Sequence, residues 1–200
     1  MSDFLGFLEG LPPGPLYALI TALAALENVI PPLPADTAVA LGAFLAGRGR
    51  LLPWAVFGLT WSANFLSASG VYWLARRYGR AFFTGVTGRR LLPAPVFAHI
   101  EGQYQRHGVY GIFIARLLPV WRAVVPPFAG IAGVSAPRAL IPLALASALW
   151  YGLLTWIVAS LGTNLHAVLA VLARVNWILG AIAGAALIFL AVWSLRRLKR

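Results

Sequence analysis

The chain has no cysteine, which excludes disulfide bridges, thiolate metal sites and a cysteine nucleophile and leaves the redox compartment undetermined. Acidic residues are scarce as well: five Asp and Glu stand against sixteen Lys and Arg in 200 residues, for a net charge of +11. Histidine occurs only as His99, His107 and His166, which with Glu101 form neither an HExxH pattern nor any other ligand spacing, so metal catalysis is not expected. No glycine-rich loop with a lysine is present to cradle a nucleotide phosphate. Ser67-Ala68-Ser69-Gly70 lies inside an apolar run and lacks the strand–turn–helix setting that a serine nucleophile needs. The sequence therefore offers no catalytic residue, no metal site and no cofactor site. Met1 to Gly10 hold Asp3 and Glu9 but no Lys or Arg, the wrong composition for a secretory signal peptide, and no cleaved leader is expected.

What is abundant is apolar surface. Sixty per cent of the residues are hydrophobic and ten per cent charged, and the mean hydropathy of +0.82 lies outside the range of soluble domains. The composition is that of an all-α polytopic membrane protein forming one domain over residues 1–200, small enough that a homodimer is expected. The basic residues sit in loops beside apolar runs, where the positive-inside rule and anionic lipid headgroups account for them, so nucleic acid is not an expected partner.

Proline and charge divide the apolar runs. Pro15 to Ile30 is short for a crossing and ends in Pro31-Pro32-Leu33-Pro34; a second short arm, Thr37 to Ala46, follows and ends at Gly47-Arg48-Gly49-Arg50. Two short arms around a proline-rich bend predict a re-entrant hairpin over 15–46, with Glu27 before the bend and Asp36 after it. A helix-capping role for Asp36 in an ordinary turn is the alternative. Residues 53–75 form a first full span, with Asn64 near its centre and Ser62, Ser67 and Ser69 suited to helix contacts. Residues 76–107, with six arginines and Pro93 and Pro95, are too polar to cross and read as a cytoplasmic basic loop. A second broken hairpin is predicted over 108–134, a span over 139–161, a short surface helix over 164–174, and a last span over 177–195 before the basic tail Arg196 to Arg200.

Arg116 and Arg122 stand within the second broken run, with Pro119 between them and Pro126-Pro127 after them, so that run cannot be one continuous helix. A guanidinium stays charged at physiological pH and is costly in hydrocarbon. Irregular backbone at membrane depth survives only where it is packed in protein or faces a wet cavity, which marks this stretch as a candidate binding site. If each hairpin enters and leaves on one side, the two hairpin-plus-span units are inverted relative to each other. The basic loop and the tail then fall on the same side, which the positive-inside rule makes the cytoplasm. Inverted repeats with interrupted helices in matching positions point to a secondary-transporter site near the bilayer midplane.

The four ionisable residues suit one another. Buried charges are tolerated when paired. An arginine fork grips phosphate through two parallel hydrogen bonds, and a carboxylate in low dielectric can load and release a proton. The expected site has Arg116 and Arg122 binding a phosphate, Glu27 and Asp36 coupling its passage to protons, and Asn64, Tyr72 and Pro119 lining the cavity. A structural ion-pair lock made of the same four residues is the competing assignment.

Glu27-Asn28-Val29-Ile30-Pro31-Pro32-Leu33-Pro34-Ala35-Asp36 resembles the acidic, proline-rich first motif of the DedA family of bacterial inner-membrane proteins, which carry the SNARE-associated or VTT domain. Phe113 to Arg122, continuing to Ala129-Gly130, is similar to that family's second motif, and Tyr72, Arg76 and Gly79 resemble the end of the intervening span. The resemblance covers roughly Pro15 to Leu161. It departs at Asp36, where many members have Glu, and at Asn64 and Ser69-Gly70, where a fuller glycine pattern is usual. It implies flipping of a lipid phosphate, such as undecaprenyl phosphate, or of phospholipids, with proton dependence in some members and the four charged residues essential. Two other readings stay open: a proton-coupled exporter of small cations or drugs, and a non-transporting membrane scaffold.

Overall fold

A computed structural model describes residues 10–30, 35–79, 108–118 and 121–161, together with residues 102, 170, 173, 174, 177, 178, 180 and 181. The described residues are helical or in turns, with no strand among them. Most of the expected last span, 177–195, of the surface helix 164–174 and of the basic loop 76–107 lies outside the described residues.

Proline stands in the first turn of several helices and follows the ends of two. The first helix, α1 (Pro13–Leu26), has proline in its first turn, where the missing N–H would have no intrahelical partner. It buries Leu16, Ile20 and Ala24 at every fourth position and finishes before Pro31-Pro32. The second helix, α2 (Ala35–Gly47), is buried over most of its second half and rich in small residues. A Cβ on Gly47 would lie 2.6 Å from the Ala159 carbonyl, so glycine permits this close approach. The chain then reverses through Gly49, whose φ of 77° favours glycine.

The long helix α3 (Pro53–Leu74, 22 residues) buries Val56, Thr60, Asn64, Ala68 and Tyr72, again every fourth residue. It runs on into a π-helical turn, Ala75–Gly79, where the sequence predicts loop. The Arg76 guanidinium secures that turn, donating to the Tyr72 hydroxyl and the Val134 carbonyl.

The second run repeats the pattern. Helix α4 (Gly108–Leu117) stops ahead of Pro119, and turns over Trp121–Val124 lead to the short helix α5 (Val125–Ile131), which opens on Pro126 and Pro127. Gly133, at φ 67°, turns the chain into α6 (Ala136–Leu161, 26 residues). This helix starts three residues ahead of the expected span because Pro137 fits its first turn, and it accommodates Pro142 internally.

Among the described residues one helix, Ala136–Ser160, is long and apolar enough to cross a membrane. Helix α3 has the length, but Trp61, Ser62, Asn64, Ser67 and Ser69 lower its hydropathy. Helix α1 packs on α2 and α3, α2 packs on α6, and α5 packs on α3 and the π-helical turn. Helices α3 and α6 run antiparallel: Phe57 lies against Gly152, Asn64 against Tyr151 and Ser147, and Tyr72 against the residue just before α6, Val134. Two apolar clusters result. One joins α1, α2, the start of α3 and the end of α6; the other joins Tyr72, Ile112, α5 and the start of α6. Polar residues collect between them, midway along both long helices.

Candidate functional site

Each polar side chain in the gap is placed by a local sequence cause. The proline-ended turn after α1 presents Glu27 and Asn28, and the first turn of α2 presents Asp36. Arg116 follows Ile112 by one helical turn on the buried face of α4. Arg122 falls in the turn that Pro119 and Pro126 impose. Asn64 is central in the buried stripe of α3, and Ser147 and Tyr151 sit one turn apart on α6.

The two arginines are nearly fully buried, Arg116 at 1% and Arg122 at 3% exposure, yet their surroundings differ. Arg122 takes the carboxylates. Its terminal nitrogens donate to Asp36 Oδ1 and Oδ2 at 2.7 and 3.1 Å, a bidentate pair, and one also reaches Glu27 Oε1 at 3.3 Å. Arg116 donates to neutral oxygens instead: Ser147 Oγ at 3.1 Å, Asn28 Oδ1 at 2.9 Å, Asn64 Oδ1 at 2.6 Å and the Arg122 carbonyl. It thereby ties α4 to both long helices and to the turn that carries Arg122.

Asn64 is the hub. Its Oδ1 accepts from Arg116, while its Nδ2 lies 3.0 Å from the Ala24 carbonyl, 3.1 Å from Glu27 Oε2 and 3.0 Å from the Tyr151 hydroxyl. The Asn28 amide donates to the Asn64 carbonyl at 3.1 Å, and the Tyr151 hydroxyl donates to Glu27 Oε2. Trp150 covers the ion pair, with its ring centroid 4.4 Å from Arg122 Cζ and its Nε1–H donating to Asp36 Oδ1 at 2.9 Å. One donor is left over. Arg122 Nε is buried and has no acceptor among the described residues.

Glu27, Asp36, Asn64, Arg116 and Arg122 thus come together from residues far apart in the chain. Tyr72 does not join them; its hydroxyl donates to the Val134 carbonyl inside the second apolar cluster. Pro119 lies outside the described residues. Asp36 does begin α2, but its carboxylate is turned to Arg122 and Trp150. Sequence reasoning missed Asn28, Ser147, Trp150 and Tyr151. The available signal was weak: a serine and a tyrosine one turn apart in an otherwise apolar span. Among the described residues no three His, Cys, Asp or Glu side chains could share a metal ion.

The described residues form a helical bundle with two guanidiniums and two carboxylates gathered at its centre, the fold class of an all-α membrane protein. The VTT domain model matches residues 33–160, and the chain belongs to that family, the one to which the DedA resemblance points. The chain is 28% identical over 155 residues to an uncharacterized membrane protein of Mycobacterium tuberculosis, covering 75% of this chain and 71% of that one. It is 25% identical over 177 residues to an alkaline phosphatase-like protein of Lactococcus lactis, covering 84% and 81%. It is 24% identical over 119 residues to undecaprenyl phosphate transporter A of Staphylococcus aureus, covering 58% and 59%. No solved structure matches the chain.

Proposed function

We propose that the protein is a carrier, not an enzyme, that moves a lipid phosphate across the bacterial inner membrane, with undecaprenyl phosphate or a phospholipid as the substrate. Arg122 is the guanidinium that takes the phosphate. Arg116 lies behind it, fixes the turn that carries it and adds positive charge. Glu27 and Asp36 couple the passage to protons.

The observation that carries this reading is the Arg122 fork, closed by Asp36 and Glu27 with a buried Nε–H left over. Two guanidiniums and two carboxylates sum to no net charge, so the closed cluster has little attraction for an anion. Protonating Asp36 and Glu27 removes two negative charges, leaving two positive ones and a free planar fork of the geometry that fits a phosphate. The phosphate then occupies the place of the Asp36 carboxylate.

Several features support a membrane disposition of two inverted repeats, each a re-entrant hairpin followed by a span, with a further C-terminal span. Trp54 and Trp73, 72% and 52% exposed, stand near the two ends of α3, about 28 Å apart at roughly 1.5 Å per residue. That separation is close to the roughly 30 Å hydrocarbon thickness, with tryptophan at each interface. Asn64 falls midway between them, which supports a position of the charged cluster near the midplane. Trp61 donates to the Ala144 carbonyl and Ser147 to Asn64, both across 83 residues. Contacts between residues at one constant offset are expected where the axis relating two repeats passes between their long helices. Arg76 and Arg77 follow Trp73, which supports a cytoplasmic position for that end of α3 and, in the inverted-repeat reading, for the C-terminus.

The test is movement of a labelled polyprenyl phosphate in proteoliposomes containing the full chain. Wild type transports, and Arg122→Ala falls to the level of empty vesicles. Equal movement with and without Arg122 refutes the proposal. The competing ion-pair lock draws on the same saturation of Arg116, and the paired substitutions discussed below separate the two.

A further inference from the structure

We propose that Trp150 is a positioning residue of the anion site, keeping the Arg122 guanidinium in place while Asp36 gives way to a phosphate. The proposal rests on the reading that a phosphate replaces Asp36 at Arg122.

Trp150 reaches the ion pair from α6 and touches both partners, one by each chemical feature of the indole. The ring face lies 4.4 Å from Arg122 Cζ. The Nε1–H donates at 2.9 Å to Asp36 Oδ1, the same oxygen that accepts from Arg122 at 2.7 Å. Departure of Asp36 affects these contacts differently. The indole N–H loses its acceptor, whereas the face contact involves Trp150 and Arg122 alone and survives. Arg122 needs such a hold. It projects from a turn and not a regular helix, its Nε–H is unpartnered, and without Asp36 its remaining carboxylate contact is Glu27 at 3.3 Å. A long, rotamer-rich side chain released from its bidentate partner would spread over many conformations. An aromatic face 4.4 Å from the guanidinium carbon holds the cation beside the vacated position without needing a hydrogen bond.

The repeat supplies a second observation. The 83-residue offset that relates Trp61 to Ala144 and Asn64 to Ser147 relates Trp150 to Ser67. Ser67 also turns to the first hairpin, donating to the Ala25 carbonyl at 2.6 Å. A hydroxyl suffices for packing at that register in α3, so the indole in α6 is an addition, and it is the one that meets the ion pair.

The experiment measures apparent KM and kcat for labelled polyprenyl phosphate in proteoliposomes of the full chain carrying Trp150→Phe or Trp150→Leu. Phenylalanine keeps a ring face and loses the N–H; leucine loses both. With the face as the working element, Trp150→Phe stays within about threefold of wild type in KM, and Trp150→Leu raises KM about tenfold with kcat changed by less than about threefold. A leucine variant with wild-type KM overturns the proposal, as does a phenylalanine variant impaired as much as leucine. A lower kcat at constant KM in both also overturns it, since that is the mark of a packing role. A wild-type protein that moves no lipid phosphate overturns the carrier reading along with it, whereas transport by wild type with an unaltered leucine variant removes Trp150 alone.

Discussion

Asn64 is where the network can be tested most sharply, because one neutral side chain serves both a buried cation and a buried anion. In Asn64→Leu the number and branching of the side-chain heavy atoms are kept and the polar atoms are lost. Arg116 then loses its 2.6 Å acceptor and Glu27 its 3.1 Å amide donor, while the Ala24 carbonyl and the Tyr151 hydroxyl lose weaker partners. A hydrogen bond to a charged group is worth about 1.5–3 kcal/mol, so two of them set an upper limit of about 6 kcal/mol. Polar contacts between membrane helices average nearer 0.6 kcal/mol, which sets a floor of about 1 kcal/mol. Arg116 is the more deeply buried of the two arginines and has no direct carboxylate, so the result should fall mid-range, near 3 kcal/mol. For a chain of this size that corresponds to a fall in Tm of about 6–12 °C, measured on detergent-purified protein. Ser67→Ala on the same helix is the control. It removes one neutral bond to a backbone carbonyl and should cost no more than about 1 kcal/mol. Asn64→Asp keeps the acceptor for Arg116 but brings a negative charge against Glu27, and its Tm should fall between the other two in neutral buffer. If Asn64→Leu melts within a degree or two of Ser67→Ala, the network does not carry the stability ascribed to it here.

Removing one partner of the ion pair, as in Arg122→Ala, leaves the buried Glu27 and the half-buried Asp36 without their cation and should cost about 3–5 kcal/mol. Adding Asp36→Ala to it should recover much of that stability, with lipid phosphate movement still absent; recovery of transport in the double variant would favour the ion-pair lock over the carrier. Arg122→Lys keeps the charge but loses the fork that spans both Asp36 oxygens, so transport should drop by about tenfold or more while the protein remains folded by gel filtration. Glu27→Gln preserves shape and neutralises the charge; in proteoliposomes with an imposed pH gradient, its transport should respond more weakly to the gradient, with Asp36 left as the one titrating partner, and an unchanged response would exclude Glu27 from proton coupling. A Cβ at Gly130 would run into the Tyr72 carbonyl, so Gly130→Ala should separate α5 from the end of α3 and lower stability by about 1–3 kcal/mol, read as a lower Tm.

Sequence alone settled the class of protein and the positions of its breaks. Proline cannot donate a backbone hydrogen bond and bars the helical conformation just before it, so Pro31-Pro32, Pro34 and Pro119 cut the short arms wherever the chain folds. Charge within apolar runs carries a cost that needs a partner, which singled out Glu27, Asp36, Arg116 and Arg122 without coordinates. Only the tertiary structure decided who partners whom. Opposite charges could have been matched one to one, yet both carboxylates go to Arg122, and Arg116 is satisfied by Asn28, Asn64, Ser147 and a backbone carbonyl. Ser147, Trp150 and Tyr151 look like ordinary residues of a span, and Tyr72, expected at the cavity, packs into the second apolar cluster. Such assignments depend on which side chains meet across contacts of 31 to 124 residues in sequence separation. Helix period and proline placement act locally, whereas the pairing of buried polar groups is fixed only once the antiparallel crossing of α3 and α6 has set which faces meet.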